Sequence, residues 1–301
     1  MLKIQKYAAI DIGSNAVRLL ISNIIEQDNE VPVFKKNSLV RVPIRLGADV
    51  FLTGEISDYN QLRMLDTMKA FGLLMKSHGV VRYKACATSA MREAKNRGTL
   101  TQKIKKNSGI SIDIIDGEEE AAIIAATDLH TFIDSNKTYL YVDVGGGSTE
   151  FSILHCGEKI DSKSFRIGTV RLLNDIVKNE TWIELEKWIK EKTKTYDKIE
   201  LIGSGGNINK IFKISGKELG KPLTYFYLSS YYQMLQNYSY EERITKLNLN
   251  QDRADVIIPA TRIYLSAMKW SGAKDMYVPK IGLSDGIIKS IYYETVSSIS
   301  V

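Results

Sequence analysis

Cysteine, histidine and long apolar runs are all scarce in this chain. Only two cysteines occur in 301 residues, Cys86 and Cys156, which excludes a disulfide framework. No apolar stretch is long enough to span a bilayer, so no membrane partner is expected. The opening "MLKIQKYAAIDIGSN" places an Asp directly after a short apolar run, unlike a signal peptide. These features lead to the expectation of a reduced, cytoplasmic protein. The three histidines, His78, His130 and His155, are isolated, and none sits in a metal or phosphohistidine arrangement. Charge of one sign is not concentrated either. The net charge is +6, and the one dense basic run, "KWIKEKTKTYDK" (187–198), is interleaved with acids as on a solvated helix face. A mild basic excess suits anionic small molecules or polyanions and is no signature of nucleic-acid binding.

What is present is a repeat. "YAAIDIGSNAVRLLIS" (7–22) resembles "YLYVDVGGGSTEFSIL" (139–154): an apolar strand, an Asp, a Gly turn with hydroxyl or amide side chains, then a second run. Asp11 and Asp143 are too far apart for solenoid repeats, and their spacing suits a duplicated domain. After each turn apolar residues alternate: Val17, Leu19 and Ile21 in the first copy, Phe151 and Ile153 in the second. Period two means strands, so each motif is the tip of a β-hairpin and not the strand-to-helix turn of a P-loop. A Gly-rich tip can aim successive N–H groups into one concavity and bind an anion. Ser14, Asn15, Ser148 and Thr149 add donors. A plain tight turn would use glycine as well.

A third glycine turn, "IELIGSGGNINKIFKI" (199–214), reads as strand, glycines and helix, with Gly205 and Gly206 at the turn. It suits a nucleoside or distal phosphate, or simply a turn that needs small residues. Elsewhere strands and helices alternate. Residues 58–78 are helical, "YKACAT" is a strand and "SAMREAKN" opens a helix. "SIDIID" is a strand, and "GEEEAAIIAATDLHTF" is a helix. "DRADVIIPATRIYLSAMKWSG" reads as one long helix, followed by a strand at "DMYVP" and a last helix at "SDGIIKSIYYETV". The class is α/β in two similar halves. The halves are expected at 1–124 and 125–301, with the last helix, about 285–298, returning to the first. The Tyr-rich stretch "YLSSYYQMLQNYSY" is read as exposed and suggests a homodimer.

Three chemical candidates follow. In "DGEEEAAIIAA" (116–126), Asp116 is a natural N-cap and Glu119 stands where a capping partner would. Acids in a first helical turn are stabilised by the helix dipole, which suffices for Glu118 and Glu119. Glu120 is not needed as a cap and is a candidate general base for water. Arg92, in "ATSAMREAKN", lies in the first turn of a helix, where it could clamp phosphate or be an ordinary exposed Arg. Cys86 to Arg92 has the Cys-x5-Arg spacing of cysteine phosphatases. The five residues between contain no glycine to wrap a phosphate, and a strand cysteine is more often a small buried hydrophobe.

Taken in order, "AAIDIGSNAVRLLI", "ATSAMREAKN", "IDGEEEAAII", "DVGGGSTEF", "GSGGNI" and "DRADVIIPA" resemble the exopolyphosphatase and guanosine pentaphosphate phosphohydrolase family, over nearly the whole chain. The resemblance implies two ribonuclease-H-like domains of the actin, sugar-kinase and heat-shock-chaperone superfamily, flanking a cleft. It implies Glu120 as the base. It implies Asp11, Asp143 and Glu150 as magnesium or water-positioning residues, with Mg2+ as cofactor. Ser14, Asn15, Arg92, Gly145, Gly146, Gly147, Ser148 and Thr149 become the phosphate cradle, with Arg166 and Arg171 as further cleft candidates. The implied substrate is inorganic polyphosphate or guanosine pentaphosphate. Two departures stand out. Asn207 replaces a usual Thr, and Ser284 replaces a usual Arg. The chain resembles the short members, without the helical C-terminal extension. Rival readings are an actin-like ATP-binding kinase or scaffold, and a protein that binds a phosphorylated alarmone without hydrolysing it.

Overall fold

The computed structural model describes residues 2–125, 127, 134 and 136–299. It divides into two compact units, one formed by the chain up to Thr127 together with Leu283 onward, the other by Asp128–Gly282. In the first unit the order is β1 (Lys3–Ile12), β2 (Val17–Glu26), β3 (Val33–Val42), α1 (Leu46–Thr53), α2 (Asp58–His78), β4 (Arg82–Ala87), α3 (Ser89–Glu93), α4 (Arg97–Ser108), β5 (Asp113–Ile114) and α5 (Gly117–Ala125). The second unit contains β6 (Thr138–Val144), β7 (Thr149–His155), β8 (Glu158–Phe165), α6 (Thr169–Leu173), α7 (Asn179–Thr193), β9 (Ile199–Ser204), α8 (Gly206–Ile214), β10 (Leu223–Thr224), α9 (Tyr225–Asn237), α10 (Tyr240–Thr245), α11 (Gln251–Ala254), α12 (Ile257–Ser271) and β11 (Asp275–Tyr277). The last helix, α13 (Leu283–Ile299), belongs to the first unit.

Each unit begins with the hairpin that the alternating residues call for. β1 and β2 pair antiparallel, as do β6 and β7, and each hairpin continues into a third antiparallel strand. The next strand pairs parallel with the first: β4 with β1, and β9 with β6. The first sheet runs β3-β2-β1-β4-β5, and the second runs β8-β7-β6-β9-β11 with β10 added antiparallel at its edge. The two sheets therefore share one ribonuclease-H-like topology. Even a local irregularity is repeated: the register shifts between Ile21 and Ser22 in one sheet and between Ile153 and Leu154 in the other.

The central strands are buried on both faces, which explains their near-continuous apolar runs. In β1, Ala8, Ile10 and Ile12 point into a core with Met64 and Phe71 of α2, while Tyr7 on the other face lies beside Tyr292 of α13. The second core packs Leu140, Val142, Phe151 and Ile153 with Trp188 of α7, Phe212 of α8 and Ile257 of α12. The run at 187–198 lies largely on α7, where Lys190–Glu186 and Lys187–Glu191 ion pairs at 2.5 and 3.9 Å occupy a solvated face.

Four expectations need correction. "SAMREAKN" forms only the short α3, because the chain turns extended at Ala94 before α4 starts. "SIDIID" contributes just two paired residues, Asp113 and Ile114. The helix expected over 252–272 is two helices, α11 and α12. Pro259 lacks an N–H and is accommodated in the first turn of a new helix, not in the middle of an old one. The Tyr-rich stretch is not uniformly exposed: Leu228, Tyr231 and Leu235 are in the core, and Tyr231 stacks on Tyr227. The end of the helix expected over "GEEEAAIIAATDLHTF" lies outside the described residues. No described helix is long and apolar enough to cross a membrane.

Candidate functional site

Loop 2, the tip between β6 and β7, is closed by Gly145 N–H donating to Ser148 C=O at 3.0 Å. Its next feature is decided from outside the hairpin. The carbonyls of Gly145 and Gly146 accept from Thr169 N–H (3.0 Å) and Val170 N–H (2.8 Å) at the start of α6, and Gly147 C=O accepts from Arg171 Nε at 2.7 Å. A trans peptide points its C=O and the following N–H in opposite directions. Three successive carbonyls turned toward α6 therefore turn the N–H groups of Gly146, Gly147 and Ser148 away from it, onto one side. Successive N–H groups on one side are an arrangement that can bind an anion. Among the described residues, none of these three amides has a backbone acceptor.

The carboxylates sit at the root of this loop. Asp143 and Glu150 are directly opposite each other in the β6–β7 register. Glu150 is buried and accepts from Ser148 Oγ at 2.6 Å and Ser164 Oγ at 3.0 Å. Thr149 is fully buried and donates to Ile167 C=O at 2.5 Å. The third glycine turn comes to the same place, because Asp143 pairs with Ser204 across β6 and β9. Gly205 has φ +112°, a left-handed conformation that glycine adopts without strain, and a Cβ there would lie 2.9 Å from Val144 C=O and 3.3 Å from Asp143 Oδ1. Tyr264 is buried beneath it and donates to Ser204 C=O. Burial, reinforced by the Asp143 charge, holds that phenol well above its ordinary range, so it remains a donor.

Loop 1, between β1 and β2, repeats the construction. Gly13 N–H donates to Ala16 C=O at 3.1 Å, while Ser14 C=O accepts from Gly47 N–H (2.8 Å) and Asn15 C=O from Arg45 N–H (3.0 Å), both at the start of α1. Ser14 Oγ also lies 3.0 Å from Ser89 Oγ at the start of α3. Opposite Asp11, however, stands Arg18 and not an acid, with NH1 2.7 Å from Asp11 Oδ2.

The acidic helix start separates its three glutamates. Asp116 Oδ1 accepts from Glu119 N–H at 2.8 Å and is the N-cap. Glu118 and Glu119 are exposed, whereas Glu120 is buried. Arg92 NH1 donates to Ile115 C=O at 2.6 Å, which ties α3 to the residue before that cap. From the other side α13 approaches so closely that a Cβ on Gly286 would be 2.2 Å from Ile123 C=O.

Cys86 is fully buried in β4 beside Asp11, and burial pushes its thiol up to about 12. A thiol so buried and so raised is a poor nucleophile, which counts against reading the Cys-x5-Arg spacing as catalytic.

The sequence pattern of the Ppx/GppA phosphatases matches residues 32–294. The chain belongs to the Ppx/GppA phosphatase family. Among the relatives of this family member, the bifunctional 3-dehydroquinate synthase/phosphatase of Fusobacterium nucleatum is 30% identical over 90% of this chain and 44% of its own length. A guanosine-5'-triphosphate,3'-diphosphate pyrophosphatase of Photobacterium profundum is 32% identical over 64% of this chain and 35% of its own. Exopolyphosphatase 1 of Mycobacterium tuberculosis is 26% identical over 49% of this chain and 42% of its own. The chain thus spans less than half the length of these relatives. Two crystal structures share the fold: the Aquifex aeolicus family member (TM-score 0.75, 24% identity, 97% of this chain and 99% of that one) and an exopolyphosphatase from Cytophaga hutchinsonii (TM-score 0.81, 24% identity, 98% of each).

Sequence reasoning missed Arg18, Arg45, Gly47 and Gly168 in this Ppx/GppA chain. One signal was available. "RLG" (45–47) and "RIG" (166–168) form a second repeat, each at the start of the helix behind its loop. Arg171 is buried against the Gly147 carbonyl. Of the two departures, Asn207 is buried with its Oδ1 3.4 Å from Arg253 NH1, and Ser284 is buried near the start of α13. Among the described residues, no group of three or more His, Cys, Asp or Glu side chains is arranged to hold a metal ion.

Proposed function

We propose that this chain removes the terminal phosphate of inorganic polyphosphate or of guanosine pentaphosphate. The observation that carries the reading is the triple turn of amides in loop 2 above the Asp143–Glu150 pair. Phosphoryl transfer asks the protein chiefly for positioning and charge stabilisation, and pre-aimed N–H donors supply both. Membership in a phosphatase family, with relatives named exopolyphosphatase and guanosine-5'-triphosphate,3'-diphosphate pyrophosphatase, supports the same chemistry.

In this reading Glu120 takes a proton from water as its oxygen attacks the terminal phosphorus. The bond from that phosphorus to the bridging oxygen breaks, and the shortened chain leaves with a new terminal oxyanion. The amides of Gly146, Gly147 and Ser148 hold phosphate oxygens, and Ser14, Asn15 and Arg92 are further phosphate-binding residues, while Thr149, fully buried with its hydroxyl on Ile167 C=O, supports the loop from beneath. Gly205 and Gly206 face a distal phosphate or nucleoside. Asp143 and Glu150, on facing positions, would hold a hard divalent cation, since oxygen ligands are what Mg2+ prefers. When bound there, Mg2+ would neutralise phosphate charge. Asp11, ion-paired to Arg18, steadies loop 1. The test is phosphate release from polyphosphates of several lengths, guanosine pentaphosphate and ATP. Release from the first two, and not from ATP, is expected. Binding of either without release, or turnover of ATP alone, would overturn the assignment.

A further inference from the structure

The direction of the loop 2 amides is not a property of the glycines alone. A glycine run can turn its peptides either way. The carbonyls of Gly145, Gly146 and Gly147 are held by three donors from one short segment, Thr169 N–H, Val170 N–H and Arg171 Nε. Space enforces the same contact: a Cβ on Gly168 would lie 2.3 Å from Gly146 C=O, so any other residue there pushes the segment off the loop. The backbone of Gly168 has φ −140° and ψ 162°, which every residue adopts; closeness alone requires glycine there. Loop 1 has the same device, with a Cβ on Gly47 only 3.0 Å from Ser14 Cβ and the N–H groups of Arg45 and Gly47 on the loop carbonyls.

We propose that Gly168, Thr169 and Arg171 are positioning residues for phosphate recognition. They clamp three carbonyls from behind and so fix the N–H groups of Gly146, Gly147 and Ser148 toward the ligand. Arg171 thus acts on substrate through the Gly147 peptide and not by touching it. A comparable clamp serves each loop: Arg45 and Gly47 within Arg-Leu-Gly in the first unit, and Thr169, Val170 and Arg171 just after Arg-Ile-Gly in the second, each following the third strand of its sheet. This inference rests on the phosphate-cradle reading of loop 2, and its test separates the two.

Thr169→Pro removes one clamp donor and sets the ring Cδ against the Gly145 carbonyl that the N–H held. Proline is tolerated at a first helical position, and the extended Gly168 before it is the conformation a pre-proline residue prefers. Arg171→Met removes another donor, and Arg171→Gln returns an N–H donor. Each protein, labelled with 15N, would be titrated with inorganic phosphate while the amide signals of Gly146, Gly147 and Ser148 are followed. Steady-state kinetics on polyphosphate would be measured alongside. In the parent these amides are expected to shift on phosphate addition; if they do not, the cradle reading fails. In Thr169→Pro and Arg171→Met the phosphate affinity should fall roughly three- to tenfold for each lost hydrogen bond, with KM rising. Arg171→Gln should recover part of it. Parent-like shifts and affinities in folded Thr169→Pro and Arg171→Met would overturn the clamp. If Arg171→Met does not fold, Thr169→Pro with parent-like affinity is sufficient to overturn it.

Discussion

Glu150 stands directly across the strand pair from Asp143, at the position that Arg18 occupies opposite Asp11. The two halves of the repeat share their hairpin and their helix clamp, yet differ in sign at this one place. In the first unit the carboxylate is answered by a guanidinium 2.7 Å away. In the second it faces another carboxylate. Two carboxylates on one face are the oxygen ligands a hard divalent cation prefers, so the second hairpin is the one to test for metal.

Asp143 and Glu150 should therefore report the metal through stability as well as activity. Asp143→Asn replaces one of the two facing carboxylates and so removes an oxygen ligand a hard cation would use. Mg2+ should raise the melting temperature of the parent and have a smaller effect on the variant. Phosphate release should stop with a chelator and return with Mg2+. Thermal melts across a Mg2+ titration check the stability effect, and equal shifts in parent and variant would count against the pairing.

Glu120 and Glu118 differ in burial, and the difference should appear in turnover. Glu120→Gln is expected to keep the fold and substrate binding while lowering kcat by roughly two to four orders of magnitude. Glu118→Gln, on the exposed side of the helix start, should change kcat little. Equal, mild effects in single-turnover phosphate release would reduce Glu120 to a helix-start acid.

Arg18 and Asp11 can be tested as a pair. Asp11 is buried and Arg18 about one-third exposed, so Arg18→Gln leaves a carboxylate without its charge partner. A loss of about 1–3 kcal/mol is expected, less than for a fully buried pair. Adding Asp11→Asn should recover part of that loss. Denaturant unfolding of the two single variants and the double variant gives the coupling directly.

Cys86 is expected to be chemically silent. With its thiol at about 12, the thiolate fraction at pH 8 is on the order of one in ten thousand. Timed alkylation at pH 8, read by peptide mass spectrometry, should modify the exposed Cys156 and spare Cys86, with phosphate release unchanged. Loss of activity in step with Cys86 labelling would revive a thiol mechanism.

The difference between Glu120 and its two acidic neighbours is legible in the sequence. Asp116 caps the helix through a bond to Glu119, so the first two acids have a local purpose and the third does not. The hairpins are legible for a similar reason. Alternation in Val17-Leu19-Ile21 and Phe151-Ile153 is a short-range pattern, and a strand's period of two leaves no other assignment. These are properties of neighbouring residues, and sequence alone determines them. The sequence repeat also implies a duplicated architecture, because two copies of one local pattern fold under one set of rules.

Tertiary structure decided everything that depends on residues distant along the chain. Nothing local to "GLSDG" shows that Gly286 lies against Ile123 C=O. Nothing local to "DVGGGSTE" shows which way its peptides turn. That direction comes from Thr169, Val170 and Arg171, more than twenty residues on, because a glycine loop has no preference of its own and takes the orientation its packing partner imposes. The sequence placed the glycines where an anion could approach. The fold chose the side to which their N–H groups turn.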